Sequence, residues 1–117
     1  MEPAALNMNV LFNSVSYNFC HVNINCITNK LSHLHFLTSS QDIDVLGVSE
    51  TWLNDTIPDS FISISGYNLV RSDSPSSIRK HGVAAFIRSS ISYVNVDMEI
   101  HNVVAIHLLD LSINLRY

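Results

Sequence analysis

The sequence predicts an α/β fold, because a strand, a helix and a second strand follow one another in its first half. The segment Tyr17–Ile24 alternates in character as a half-exposed strand does and ends in a polar tip. Thr28 is a suitable N-cap for a helix to about Thr38, in which leucines recur at helical spacing. The segment Ile43–Val48 is apolar and rich in β-branched residues, as buried strands are. Two strands joined by one helix are expected to lie parallel in one sheet.

The second half of the chain predicts further strands without another helix. Ser72–His81 is polar and contains Pro75, which indicates an exposed loop. Residues 1–16 show no clean period and are expected to form a poorly ordered N-terminal extension, or one that is only loosely docked, which leaves residues 17–117 as the partial domain. Four strands are expected, the last three as antiparallel neighbours: Tyr67–Arg71, Val83–Ile87, Ser92–Val96 and Val103–Leu109.

Polar side chains follow the two parallel strands at the point where each strand ends. Glu50 comes directly after the apolar strand, at the edge of the sheet where open α/β folds bind their ligands. Because the carboxyl ends of parallel strands meet at one edge, Asn23 or Asn25 is expected near Glu50 in space. The alternatives are that Glu50 simply leaves the core for solvent and that the asparagines form a turn.

Composition limits the classes of protein that the chain can belong to. Its 117 residues allow at most one domain, and a formal charge of −4 gives no overall footprint for nucleic acid or an anionic membrane. No apolar run approaches the roughly 18 residues of a membrane span, and no basic leader is present, so we expect an intracellular, non-secreted protein. Cys20 and Cys26 fit a reducing compartment as small core residues, with a disulfide as the alternative.

Four short motifs occur in an order that is similar to a known superfamily. Together they resemble the endonuclease/exonuclease/phosphatase superfamily, most closely the apurinic-type endonuclease domain of non-LTR (LINE-like) retrotransposons. The resemblance covers about Tyr17 to Leu109, and its most specific part is the Thr-Trp-Leu after the strand-terminal glutamate. The motifs are Asn23-Ile24-Asn25, Ser49-Glu50-Thr51-Trp52-Leu53-Asn54-Asp55, Ile64-Ser65-Gly66-Tyr67-Asn68-Leu69 and Gly82-Val83-Ala84-Ala85-Phe86-Ile87-Arg88.

The resemblance implies the N-terminal half of a two-sheet α/β sandwich and metal-dependent cleavage of DNA phosphodiesters during retrotransposition, which would take place in the nucleus. By resemblance Glu50 is a catalytic residue that binds the divalent metal, and Asn23 orients the scissile phosphate or the attacking water. Asn25 matches a position near the metal. Mg²⁺, or Mn²⁺ in its place, suits these residues because a hard cation prefers oxygen ligands and retains several waters. Arg79 and Lys80 are the candidate DNA-phosphate contacts, with two solvated charges as the alternative.

The chain departs from the family pattern in two ways. Only Gly82 remains of the two or three glycines that usually precede the Val-Ala strand, which puts the close approach of this loop to a ligand in doubt. The general-base Asp, the Asp-x-Asn pair and the closing Asp-His of the family have no counterpart in this sequence. We therefore expect a C-terminally truncated domain without nuclease activity, whose uncovered sheet face promotes self-association.

Two other functions are compatible with the same residues. The first is a non-catalytic, domesticated remnant or interaction module, which the missing catalytic residues favour. The second is another branch of the superfamily that acts on phosphoinositides, sphingomyelin or RNA tails, against which the Thr51-Trp52-Leu53 sequence argues.

Overall fold

The computed structural model describes residues 5–12, 15–75, 81–96, 103–108 and 111–116. Single 3₁₀ turns lie at Ile27–Asn29 and Asp59–Phe61. The described residues form one α-helix and eight strands, namely β1 (Ala5–Phe12), β2 (Val15–Asn23), α1 (Leu31–Ser40), β3 (Val45–Ser49), β4 (Tyr67–Ser72), β5 (Val83–Arg88), β6 (Tyr93–Val96), β7 (Val103–Leu108) and β8 (Leu111–Arg116).

The strands lie in two sheets. The larger sheet has the order β1-β2-β3-β5-β4, and the smaller has the order β6-β7-β8. Strands β2 and β3 are parallel, whereas every other pair of neighbours is antiparallel. Since α1 connects the two parallel strands, the predicted strand-helix-strand unit and the α/β class are confirmed.

Strands β3 and β5 form the centre of the larger sheet and are buried on both faces. All five residues of β3 are buried, as are the first five of β5. This explains why both strands are free of polar side chains up to their last residue, without the alternation of a strand that has one solvent-exposed face. The helix-side core, on the face that α1 covers, consists of Cys20, Val22, Ile24, Ile27, Leu34, Ile43, Leu46, Val48, Leu53, Ile62, Ile64, Ala84 and Phe86.

The opposite face of the larger sheet packs against the smaller sheet. Val104 and Leu108 of β7 are buried against it, which covers the face that the sequence analysis expected to lie open. That expectation is wrong for the described residues of β3 and β5, and self-association through this face stays a prediction. The second-sheet core consists of Phe19, Val45, Val70, Val83, Ala85, Ile87, Val104 and Leu108.

Helix α1 begins two residues later than the sequence predicts, with Lys30 and not Thr28 at the N-cap. Thr28 lies in a 3₁₀ turn and does not cap the helix, which starts after Lys30 and reaches Ser40. The reason is a tertiary contact, since the backbone N–H of Ile27 donates to Thr51 O at 3.0 Å and its side chain is fully buried. The chain must leave this contact before a helix can start.

Strands β5 and β6 are not neighbours, contrary to prediction. A strand buried on both faces sits inside a sheet, and β5 pairs with β3 on one side and β4 on the other. No edge of β5 is left for β6, which pairs antiparallel with β7 as predicted for those two segments.

Two strands lie where the sequence analysis assigned none. Strand β1 occupies part of the expected N-terminal extension and pairs with β2 over eight residue pairs. Its asparagines alternate with apolar residues, so a period-two pattern is present in residues 5–12 although it does not extend over the whole of residues 1–16. Strand β8 pairs with β7.

The described residues also bear on the expectations for the two cysteines and for a membrane span. Cys20 and Cys26 are both free thiols, and burial raises the pKa of the Cys20 thiol above its ordinary value. In the part of the chain that the structure describes, no helix is long and apolar enough to cross a membrane.

Candidate functional site

The candidate site lies at the edge of the larger sheet where β2, β3 and β4 end. Register pairs Asn23 with Ser49, Ser49 with Val83, and Val83 with Ser72, so these four residues form one row across the sheet. Because β4 and β3 are both antiparallel to β5, they run in the same direction and end at the same edge. The sequence prediction that strand ends converge here is confirmed.

Asn23 and Glu50 are in direct contact at this edge. The side-chain amide Nδ2 of Asn23 donates a hydrogen bond to Glu50 Oε2. Asn23 is exposed and Glu50 is half-buried, so solvent reaches both groups. The other carboxylate oxygen of Glu50 accepts no hydrogen bond from the residues described. The pair therefore leaves one carboxylate oxygen and one amide oxygen available for a ligand.

The backbone around this pair adopts an uncommon conformation. Four non-glycine residues in the described ranges have positive φ, namely Asn25 at 50°, Cys26 at 80°, Glu50 at 54° and Trp52 at 59°. Each costs about 1–2 kcal/mol for an L-residue, so the surrounding structure must hold them in place. All four lie at the same edge of the sheet, and their backbone conformation sets the direction of the side chains that follow β2 and β3.

Main-chain hydrogen bonds on the β2 side stabilise this conformation. The segment after β2 is joined to the segment after β3 by Ile24 N–H to Ser49 O at 3.0 Å and Cys26 N–H to Glu50 O at 2.9 Å. Ile27 N–H adds a third bond, to Thr51 O at 3.0 Å. These bonds continue the parallel pairing beyond the strands and hold Glu50 beside Asn23.

A second set of bonds holds the other side of the Glu50 segment. Thr51 N–H donates to Gly82 O at 3.2 Å, and Trp52 N–H donates to His81 O at 2.9 Å. Gly82 is buried with φ of +106°, and a Cβ atom there would lie 2.5 Å from Thr51 Oγ1. The close approach that requires a glycine at position 82 is therefore to Thr51, which is itself fully buried.

Arg71 is a residue that the sequence analysis missed. Its guanidinium forms two hydrogen bonds with Asp73, at 3.1 and 2.7 Å, and donates to the backbone oxygens of Asn54 and Ile57 at 2.8 and 2.7 Å. A further ion pair joins it to Asp59 at 3.0 Å. The hydrogen bond to Asp73 raises the pKa of Arg71 above its ordinary value, so the guanidinium keeps its charge.

These contacts fasten the loop after the candidate site to the end of β4. The Arg71 side chain is only 13% exposed, which its five donors permit because each bond satisfies part of its charge. The position of Arg71 directly after Leu69 and Val70 in a predicted strand could have indicated this role. An arginine that is largely buried is usually paired with a carboxylate or with backbone oxygens.

The other predicted site residues are not brought into this contact. Asn25 is exposed, and its backbone oxygen accepts a hydrogen bond from Lys30 Nζ. No hydrogen bond joins the Asn25 side chain to Glu50 within the described ranges. Arg79 and Lys80 lie outside the described residues. Ser74, in the loop predicted to be exposed, is 7% exposed and therefore buried.

The Asn23–Glu50 pair offers oxygen donors, a carboxylate and an amide, whereas Cys26 and His81 lie in the segments that are hydrogen-bonded to it. Glu50 supplies the one carboxylate in contact with Asn23, and the residues described contain no group of three or more His, Cys, Asp or Glu arranged to hold a metal. Mg²⁺ is commonly bound through one or two carboxylates with several waters retained. The Asn23–Glu50 pair fits a hydrated Mg²⁺, whereas the three or four protein ligands that a zinc centre needs are not assembled among the described residues.

Comparison with known proteins adds nothing to this geometry. The chain matches no protein-family model and no curated protein.

Proposed function

We propose that this chain is the N-terminal half of a metal-dependent phosphodiesterase domain of the endonuclease/exonuclease/phosphatase type, related to the endonucleases of non-LTR retrotransposons. The observation that carries the proposal is the contact between Asn23 and Glu50 at the ends of two adjacent parallel strands. The left-handed backbone of Glu50 supports it, since strain of this kind concentrates at functional sites. Two sheets packed through the second-sheet core are compatible with an α/β sandwich.

The proposal gives each residue at the edge a chemical role. Glu50 is the carboxylate that holds a hydrated Mg²⁺ or Mn²⁺, which when bound neutralises charge that develops on a phosphate. Asn23 holds the carboxylate in place through its amide N–H and positions a phosphate oxygen or a water without repelling it, because the amide is neutral. Asn25 contributes an amide near the metal. Arg79 and Lys80 contact the DNA backbone, and the compartment of action is the nucleus.

Metal binding at Glu50 is tested by titrating isotopically labelled protein with Mn²⁺ and following paramagnetic broadening of amide signals. We expect the signals of Asn23 and Glu50 to broaden first, because the ion is held by the Glu50 carboxylate. The substitution Glu50→Gln is expected to weaken binding about tenfold or more, since it removes the charge from the site. A parallel titration with diamagnetic Mg²⁺ serves as the reference for signal changes that do not come from the paramagnetism of Mn²⁺.

The matched control is Asp55→Asn, which removes an exposed carboxylate five residues away in the same segment. This variant is expected to keep the broadening at Asn23. Broadening that survives Glu50→Gln unchanged, or that is centred on Asp55, would contradict the assignment of Glu50 as the metal ligand.

Cleavage of DNA is tested separately with supercoiled plasmid and Mg²⁺. We expect no nicking above the buffer background, because the sequence contains neither the Asp-x-Asn pair nor the Asp-His of the family. Robust nicking that disappears in Glu50→Ala would refute the expectation of inactivity and would confirm the phosphodiesterase chemistry.

A further inference from the structure

Strand β1 forms an open edge of the larger sheet. It pairs with β2 through residues 5–12, and no strand in the described ranges pairs with its other side. An edge strand presents alternate backbone N–H and C=O groups to solvent, which makes it a template for another strand. Natural proteins usually protect such an edge with a charged residue, a proline or a bulge. The β1 sequence, ALNMNVLF, has no charged residue, proline or glycine, and its pairing with β2 is continuous.

The other edge strands of the described structure differ from β1. On the opposite edge of the same sheet, β4 has six residues and carries Arg71, whose guanidinium holds the neighbouring loop. In the smaller sheet β6 has four residues, and β8 ends in Arg116. Strand β1, with eight residues, is thus the longest of the described edge strands, and none of its residues is charged.

We propose that a second copy of this chain pairs antiparallel with β1, with a two-fold axis at Met8. Paired residue numbers then add up to 16, so residues 5–11 of both copies pair. In this register Asn7 faces Asn9 of the other copy on both sides of the axis, and Leu6 faces Val10. The two five-stranded sheets become one continuous sheet, an interface that does not involve the candidate metal site.

The β1 sequence is self-complementary in this register. A shift by one residue would place each asparagine opposite an apolar residue. The asparagine-bearing face of one β1 strand would then lie on the same side of the joined sheet as the apolar face of the other. A shift by two residues keeps the faces, but it leaves one asparagine opposite its own copy and pairs the other with an apolar residue, either Asn9 with Ala5 or Asn7 with Leu11. Two identical neutral strands also meet without charge repulsion, although the chain as a whole carries −4. Asn9 Nδ2 already donates to Ser16 Oγ and Asn18 Oδ1 within its own sheet. Its Oδ1 is therefore the acceptor that Asn9 offers to the Asn7 amide of the other copy, as in stacked asparagine ladders.

Sedimentation velocity at increasing protein concentration tests the proposal. We expect a monomer–dimer equilibrium in the wild-type chain. Asn7 is exposed, and Asn7→Lys is expected to raise the dimer Kd about tenfold or more, because it places like charges close together across the two-fold axis. Asn68→Lys is the matched control, since Asn68 is an exposed asparagine on the opposite edge strand β4. It is expected to leave the Kd unchanged, and circular dichroism verifies that both variants are folded.

Cross-linking tests the register. A cysteine introduced by Met8→Cys would face its own copy across the axis at a Cα separation of about 4.5–5.5 Å, within the range of a disulfide. Mild oxidation is expected to yield a covalent dimer whose bond joins the two substituted positions by peptide mapping, and Asn68→Cys is expected to yield none.

Two results would each overturn the proposal. The wild-type chain could remain monomeric at every concentration, or Asn7→Lys could leave the dimer intact. In the second case, dissociation of the dimer by Val94→Lys, a change at the 57% exposed Val94 of β6, would place the interface on the smaller sheet.

Discussion

Gly82→Ala is expected to lower the free energy of unfolding by about 3 kcal/mol, the sum of backbone strain and steric overlap. Position 82 has φ of +106°, where an L-residue is strained, and its added Cβ would lie 2.5 Å from Thr51 Oγ1. Thr51 is fully buried, its backbone N–H and C=O are bonded to Gly82 and Ile27, and its Oγ1 accepts from Leu53 N–H at 3.4 Å, so turning the side chain away would break that bond. Chemical denaturation at fixed pH measures the change.

Gly66→Ala separates the two contributions. Gly66 also has positive φ, +86°, but nothing lies within 4 Å of the added Cβ. We expect this variant to lose only the strain, about 1 kcal/mol. Thr51→Ala combined with Gly82→Ala is expected to recover part of the loss, because it removes the overlapping oxygen. Equal losses for Gly66→Ala and Gly82→Ala would show that the contact with Thr51 is unimportant.

Arg71→Met is expected to cost about 3 kcal/mol of stability, because it removes the donor of two hydrogen bonds to the Asp73 carboxylate and of one bond to each of two backbone oxygens. Asp73, whose side chain is 21% exposed, would lose both of its bonds from Arg71, and Ile57 O would lose the guanidinium donor. Asn54 O would keep the backbone N–H of Ile57 at 3.1 Å and lose only the bond from Arg71. Arg71→Lys is expected to recover about 1 kcal/mol, since lysine keeps the charge but not the planar fork. Denaturation measures stability, and hydrogen exchange follows the loop at residues 54–59.

Asp59→Asn is the control for the exposed part of this network. The Asp59 side chain is 68% exposed, so its ion pair with Arg71 is screened by solvent and is expected to contribute less than about 1 kcal/mol. A loss for Asp59→Asn as large as that for Arg71→Met would contradict the view that the backbone bonds and Asp73 dominate.

The positions of the two site residues followed from the pattern of the chain. An apolar run that ends abruptly at Glu50 and a strand that ends at Asn23 are local features, and a short helix between them leaves a parallel pair as the expected arrangement. Parallel strands bring their carboxyl ends together whatever the details of packing. The contact between Asn23 and Glu50 was therefore predictable as proximity, although not as a hydrogen bond.

Features that depend on distant partners could not be predicted in this way. Arg71 binds Asn54 and Ile57, which precede it by 17 and 14 residues, and no local periodicity records such a contact. The place of β5 between β3 and β4 is similar, since an apolar strand shows that it is buried but not which strands bury it.

The sequence by itself determined the α/β class, the central strands and the edge of the sheet at which Asn23 and Glu50 meet, because these depend on side-chain period and on the direction of parallel strands. Only the tertiary structure decided the left-handed backbone of Glu50, the need for glycine at position 82 and the open edge at β1. Each of these is a property of how separate segments contact one another. Main-chain hydrogen bonds from two sides can hold a residue in a conformation that its own sequence disfavours.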